Sequence, residues 1–317
     1  MGTLVRVTVY AADEQAARDA FRVAFDRIAE LDRLLSDYRP DSELNRLAEQ
    51  AAGREVAVSS DLFTVLRAAQ GLAEQTGGAF DVTQGPVIRL WRHARRTAQL
   101  PDRPALDEAA SRSGYRKLHL NDDRRTVRLA IGGMSLDVGA IGKGYAASEA
   151  IEALEQAGVR CALVAISGDL GFGDAPPGKA GWRIRIRPEE PSLAEVPEVL
   201  ELTNGAVSTA GASEQHVDID GRRYSHIIDP SSRTGLIEDL TVTVIARHGL
   251  EADGLDTAIS VLGAERGLQL VESRPDVAAL VIKRSARETT VVRSTGFQLL
   301  VREDEGTKLP AIGSSRR

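Results

Sequence analysis

The chain has 317 residues, with 40 Lys+Arg against 46 Asp+Glu, a formal net charge of −6 and 42% apolar residues. This composition excludes a disordered or collagen-like chain, and the acidic balance argues against electrostatic capture of nucleic acid or anionic lipid as the main activity. A single cysteine, Cys161, excludes an internal disulfide and a multi-thiolate metal site, so a metal here must use oxygen or imidazole ligands.

Residues 3–10 alternate like a strand, and residues 13–36 place Ala17, Phe21, Phe25, Ile28, Leu31 and Leu35 on one face of a long helix. A short helix follows Pro40, with Asp41 or Ser42 as its N-cap, and a serine-capped helix begins at SSDLF and ends at a double glycine. Gly85-Pro86 opens a helix whose arginines read as a solvated face rather than a nucleic-acid stripe. Short strands follow Tyr115, among them RKLHLN, TVRLAIG and MSLDV; a helix at GKGYAASEAIEALEQAG and the strand CALVAIS come next. VDID-GRRYSHIID is an antiparallel hairpin with Asp220-Gly221 at its tip. Two helices, ADGLDTAISVLG and ERGLQLVESR, precede the closing strands AALVIK and TTVVR. The expected fold is α+β, with two intimately packed lobes of mainly antiparallel sheet flanked by helices. Residues 1–300 would form the domain and residues 301–317 a loosely packed tail.

No stretch approaches the ~20 apolar residues that span a bilayer. The start MGTLVRVTVYAADE lacks the sections of a secretory signal. The sequence as it stands reads as cytoplasmic, with the mature part of an exported protein as the alternative.

Four islands of polar residues and glycines stand apart from the packing pattern. LSDYRPDSELNRL places Tyr38 in a turn, where an aromatic either stacks a planar ring or simply packs. In TGGAFDVTQGP, Asp81 sits between Phe80 and Val82 and needs a partner, either backbone amides or a ligand's donors. In LDVGAIGKGYAA, Asp137 and three glycines, two before Lys143 and one after it, lie at the start of a helix. Such a turn favours an anion, although the spacing fits neither the P-loop nor the dinucleotide fingerprint. In EADGLDTAISVLG, Asp253, Asp256 and Thr257 point to one side of a helix. These oxygens suit a hard cation such as Mg²⁺; otherwise Asp253 caps the helix and Asp256 is exposed. His226 lies in an otherwise apolar strand, a place more usual for a packed residue than for a base.

Taken in order from MGT at residue 1 through SDYRPDSELNRL, GGAFDVTQGP, LDVGAIGKGYAA, VAISGDL, AVSTAG, YSHIIDPSSRTG and ADGLDTAISVLG, the motifs resemble those of the FAD:protein FMN transferases, the ApbE-like flavin transferases. The resemblance spans nearly the whole chain. It implies flavin or FAD contacts at Met1, Tyr38, Ala79, Phe80, Asp81 and Ile227, and dinucleotide-lining roles for Asp137 and Lys143. It also implies Mg²⁺ ligands at the Ala140 carbonyl, Asp253 and Thr257, with Asp256 as a further one, and a base at His226. Asp253 and His226 would then carry catalysis. The implied reaction uses FAD as substrate and moves its FMN moiety onto a threonine hydroxyl of an acceptor protein, releasing AMP. A Mg²⁺-dependent FAD pyrophosphatase and a non-catalytic FAD carrier are the alternatives. Two positions depart from the family's pattern: Ser167-Gly168-Asp169 stands where GGD is common, and Ala210-Gly211-Ala212 where SGD is common.

Overall fold

Asp13 opens the first helix, α1 (Glu14–Leu35), its carboxylate accepting the Ala16 amide at 2.8 Å. Ala20, Ala24, Ile28, Leu31 and Leu35 form the buried stripe of α1, whereas Phe25 remains 45% exposed. The buried face is therefore rotated from the one that the large apolar residues suggest. The reason is the neighbour: α1 packs on α6 (Gly142–Gln156), whose Ala146, Ala147 and Ala150 are also buried, and two alanine faces allow close approach. This computed structural model describes residues 2–186, 193, 196, 199–211, 215–285 and 287–298. Met1, Ala212 and the expected tail at 301–317 lie outside the described residues.

Three further helices begin where the sequence signals place them. Ser42 caps α2 (Glu43–Gln50) and Ser59 caps α3 (Ser60–Gln75), while Pro86 sits in the first turn of α4 (Gly85–Thr97). The remaining helices are α5 (Arg103–Ser111), α7 (Gly249–Leu262) and α8 (Ala264–Glu272).

The main sheet has seven strands in the order Val5–Val9, Ala162–Ile166, Asp169–Phe172, Gly205–Gly211, Asp239–Ala246, Ala278–Arg284 and Thr289–Arg293, every neighbouring pair antiparallel. Side chains alternate between two apolar cores, as the pleat requires. Val242, Val244, Ala279 and Val281 enter the core shared with α1, α3, α6 and α7, and Ile245, Leu280 and Ile282 enter a second core with Phe172, Trp182, Leu200 and Phe297. The strands Trp182–Arg185 and Val199–Leu202, which pair with each other, contribute to that second core. A third cluster joins Trp91 and Val87 of α4 to Val217, Tyr224 and Ile228, and Trp91 Nε1 donates to the Arg233 carbonyl at 2.8 Å.

Two expected strands differ. MSLDV joins no sheet; it runs as a buried segment against the start of α4, where a Cβ on Gly85 would meet the Ser135 carbonyl oxygen at 2.7 Å. The hairpin at YSHIID pairs only through Ser225, its tip formed by Asp220 and Gly221 at φ of 51° and 74°. The chain then leaves the ladder at His226 and re-enters a separate two-residue pairing at Ile228.

Helices α6 and α7 pack on one face of the sheet and touch at two glycines. A Cβ on Gly144 would lie 2.1 Å from the Gly249 carbonyl oxygen, and a Cβ on Gly249 equally close to that of Gly144. Gly144→Ala is therefore expected to cost about 3 kcal/mol, the upper part of the range for overpacking. The guanidinium unfolding midpoint should fall accordingly, and an unchanged midpoint would show that the helices can part freely.

Candidate active site

The contact between α6 and α7 sets a charged cluster. Asp253 and Asp256 lie on one face of α7, and Asp169 starts the strand paired with Gly205–Gly211; all three carboxylates are 2% exposed. One oxygen from each lies within 4.8 Å of the others. The Lys143 ammonium, in the first turn of α6, reaches Asp169 Oδ2 at 2.9 Å, Asp253 Oδ1 at 3.2 Å and the Gly139 carbonyl at 3.0 Å. The unpaired first-turn amide of Gly144 donates to Asp253 Oδ2 at 2.9 Å. Ser208 Oγ touches Asp169 Oδ1 at 2.5 Å and Asp256 Oδ2 at 2.6 Å, and Thr257 Oγ1 donates to Asp256 Oδ1 at 3.2 Å.

One ammonium cannot balance three carboxylates. Burial, and then the adjacent Asp169, push Asp253 up to about 7. Burial together with Asp253 and Asp169 holds Asp256 well above the ordinary carboxylate range. Burial works against the Lys143 ammonium, but Asp253 and Asp169 outweigh it and raise its pKa. Buried, all-oxygen and short of positive charge, the cluster fits a hard divalent cation.

The cluster opens into a cavity of about 620 Å³, within the usual range for small-molecule sites. Another part of the lining is built on Arg92 of α4. Its guanidinium bonds Asp37, donates to Asp137 Oδ2 at 2.6 Å and lies 4.4 Å from the centre of the Tyr38 ring. Tyr38 remains 66% exposed, which leaves ring surface for a planar partner. Burial, then the Asp37 charge, raise the pKa of Asp137 against the pull of Arg92. Ala79, Phe80, Asp81, Ala140 and Ile227 line the same cavity. The oxygens of Asp81 are engaged within the fold. Oδ1 accepts from the Thr83 amide and hydroxyl at 2.8 and 2.7 Å, and Oδ2 accepts from Gln84 Nε2 and the Tyr115 amide at 2.9 and 3.0 Å.

His226 lines the cavity where the hairpin breaks register. Its Nδ1 sits 3.1 Å from the Gln215 carbonyl, which can only accept, so Nδ1 carries the hydrogen and Nε2 keeps its lone pair. Burial, assisted by the positive charges of Arg95 and Lys143, pushes its pKa down to about 4. The ring is therefore neutral at pH 7.

The ApbE family model matches residues 1–281. The chain belongs to the ApbE family. An FAD:protein FMN transferase of Treponema pallidum is 35% identical over 297 residues, covering 89% of this chain and 82% of the relative. One from Salmonella typhimurium is 28% identical over 310 residues, covering 96% and 88%. Among solved structures, the flavin transferase ApbE from Vibrio cholerae superimposes with a TM-score of 0.82 at 29% identity, covering 95% of this chain and 96% of that one. The apo form of the Pseudomonas stutzeri flavinyl transferase ApbE gives a TM-score of 0.81 at 31% identity, covering 95% and 94%. The α+β ApbE fold expected from the motifs is thus the fold observed.

In this ApbE-family chain, Asp253, Asp256, Thr257, Ala140, Lys143, Asp137, Ala79, Phe80, Asp81, Tyr38, His226 and Ile227 all face one cavity. The alternatives of a helix-capping Asp253 and an exposed Asp256 are excluded, since α7 begins after His248 and both acids are buried. Two features escaped the sequence. Asp169 completes the acidic cluster; the sequence marked it only as the last residue of Ser167-Gly168-Asp169, where the family pattern is GGD, and gave it no ligand role. The arginines of α4 do not all form a solvated face, because Arg92 and Arg95 line the cavity; nothing in their spacing distinguishes them from the exposed Arg96.

The Asp253 carboxyl titrates near 7 in the folded protein against 3.8 when unperturbed, so its stabilising contribution is complete below about pH 4 and lost as pH rises through 7. In EDTA, Asp253→Asn should gain stability relative to the unsubstituted protein as pH rises from about 4 to about 7. Urea unfolding midpoints across that window check this, and a gap independent of pH would contradict the raised pKa.

Proposed function

We propose that this chain transfers the FMN moiety of FAD to a threonine hydroxyl of an acceptor protein, releasing AMP, with a divalent cation, Mg²⁺, held at the carboxylate cluster. The observation that carries this reading is that buried acids, an exposed ring face at Tyr38 and a neutral histidine all open into a single cavity. Family membership supports the flavin chemistry, and the relatives carry that transferase name.

Asp253, Asp256, Asp169 and Thr257 are the side chains that would hold the cation, with Ala140 lining the same cavity. When bound, the cation would withdraw charge from the pyrophosphate oxygens. Displacement at phosphorus asks mainly for positioning and charge neutralisation, which the rest of the cavity supplies. Lys143 adds a fixed positive charge beside the acids. Phe80 and Tyr38 offer surfaces for the flavin or adenine rings. His226, its Nδ1–H anchored on Gln215, presents Nε2 to take the proton of the incoming hydroxyl as the new phosphoester bond forms and the bond to AMP breaks. A group held near 4 is a weak base in the free protein, and the negative diphosphate of the substrate would raise its proton affinity on binding.

Incubation with FAD, Mg²⁺ and a threonine-bearing acceptor domain separates the possible activities. Covalent flavin on the acceptor, seen as in-gel fluorescence, is the expected outcome. Free FMN plus AMP would identify a pyrophosphatase, and intact FAD a carrier. Asp253→Ala should abolish Mg²⁺-dependent labelling, and full activity in that variant would remove the metal assignment. His226→Ala should slow labelling by roughly a hundred-fold or more while FAD binding persists; unchanged turnover would remove His226 as the base.

A further inference from the structure

Arg92 is the residue whose placement calls for a further role. Its side chain is only 20% exposed, and it joins three segments that are far apart in sequence. The guanidinium lies against the Tyr38 ring and pairs with Asp37 in the α1–α2 connection, and it pairs with Asp137 in the segment that leads into α6. The links continue beyond it. The second oxygen of Asp137 accepts the Gly139 amide at 2.9 Å, the Gly139 carbonyl accepts from Lys143 at 3.0 Å, and Lys143 enters the carboxylate cluster. A continuous set of polar contacts therefore runs from the ring-stacking wall to the charged end of the cavity.

We propose that Arg92 is a positioning residue for the dinucleotide. It fixes the Tyr38 wall and the Asp137–Lys143 segment at one mutual distance, so that a ligand carrying both a planar ring and a diphosphate meets both ends ready-made. The identity of that ligand as FAD rests on the function proposed above. A guanidinium suits this task because its planar fork can pair with two carboxylates while its face stacks on an aromatic ring. A lysine ammonium keeps the charge but cannot hold both carboxylates in plane while stacking. Asp37 and Asp137 also need the cation for themselves, since Asp137 is buried and Asp37 adds to its raised pKa.

The test compares the unsubstituted protein with Arg92→Lys and Arg92→Ala, using FAD as the probe and quenching of flavin fluorescence as the binding readout. Arg92→Ala should bind FAD about ten-fold or more weakly, the scale set by losing the two charge-assisted hydrogen bonds that hold Asp37 and Asp137 in place. Arg92→Lys, which preserves the charge and so protects the fold, should fall between the two. Ethylguanidinium in solution should restore much of the affinity of the alanine variant and do nothing for the unsubstituted protein. Without flavin, amide hydrogen exchange in Arg92→Ala should accelerate at residues 36–42 and 137–143 together, with α8 unaffected.

Affinity within two-fold of the unsubstituted protein in both variants would overturn the proposal. So would exchange that is unchanged in those segments, or that rises throughout the chain. If the unsubstituted protein binds no FAD, the functional reading falls instead. The clamp is then decided by exchange alone, paired acceleration upholding it and unchanged protection removing it.

Discussion

Three carboxylates removed from water with a single ammonium among them form the constraint around which this fold is arranged. Isolated buried charge is costly, and it persists only where fixed dipoles and donors surround it. Here those donors come from the Gly144 amide in the first turn of α6, the Ser208 hydroxyl on the central sheet and Lys143. The mutual approach of Gly144 and Gly249 follows from this requirement, because only backbone against backbone brings α6 near enough to α7 for that amide to reach Asp253. The apolar cores on both faces of the sheet supply the stability that such a cluster consumes.

The Tyr38 side of the cavity obeys different physics. Tyr38 keeps ring surface open, and the groups behind it are locked by Arg92 and by the self-contained bonding of Asp81. Asp81 thus shapes its wall by ordering the Val82–Gln84 turn and the Tyr115 amide. His226 lines the same cavity. Its break from the hairpin ladder turns it into the cavity, and that displacement distinguishes it from the packed strand histidine its neighbours suggest.

Much of this was legible in the sequence, where local rules govern. Helix starts at Asp13, Ser42, Ser59 and Pro86 follow from capping chemistry, and the turn at Asp220-Gly221 follows from its need for positive φ. The spacing of Asp253, Asp256 and Thr257 put their oxygens on one face because a helix leaves no other choice. Legibility ended where partners come from distant chain. Asp169 joins the acids through sheet register, Arg92 finds Asp37 and Asp137 across 55 and 45 residues, and the small-residue face of α1 is selected by α6. MSLDV has strand composition, yet the start of α4 claims it.

The contacts of Ser208 carry one last implication. A hydroxyl owns a single hydrogen, yet its oxygen lies within strong bonding distance of carboxylate oxygens on both Asp169 and Asp256. Only one of those two contacts can use the hydroxyl hydrogen, so the other calls for a hydrogen on an acid, in keeping with the raised pKa of Asp256. A divalent cation held at the cluster, as proposed above, would displace that proton into solvent, so its binding would tighten in alkaline buffer.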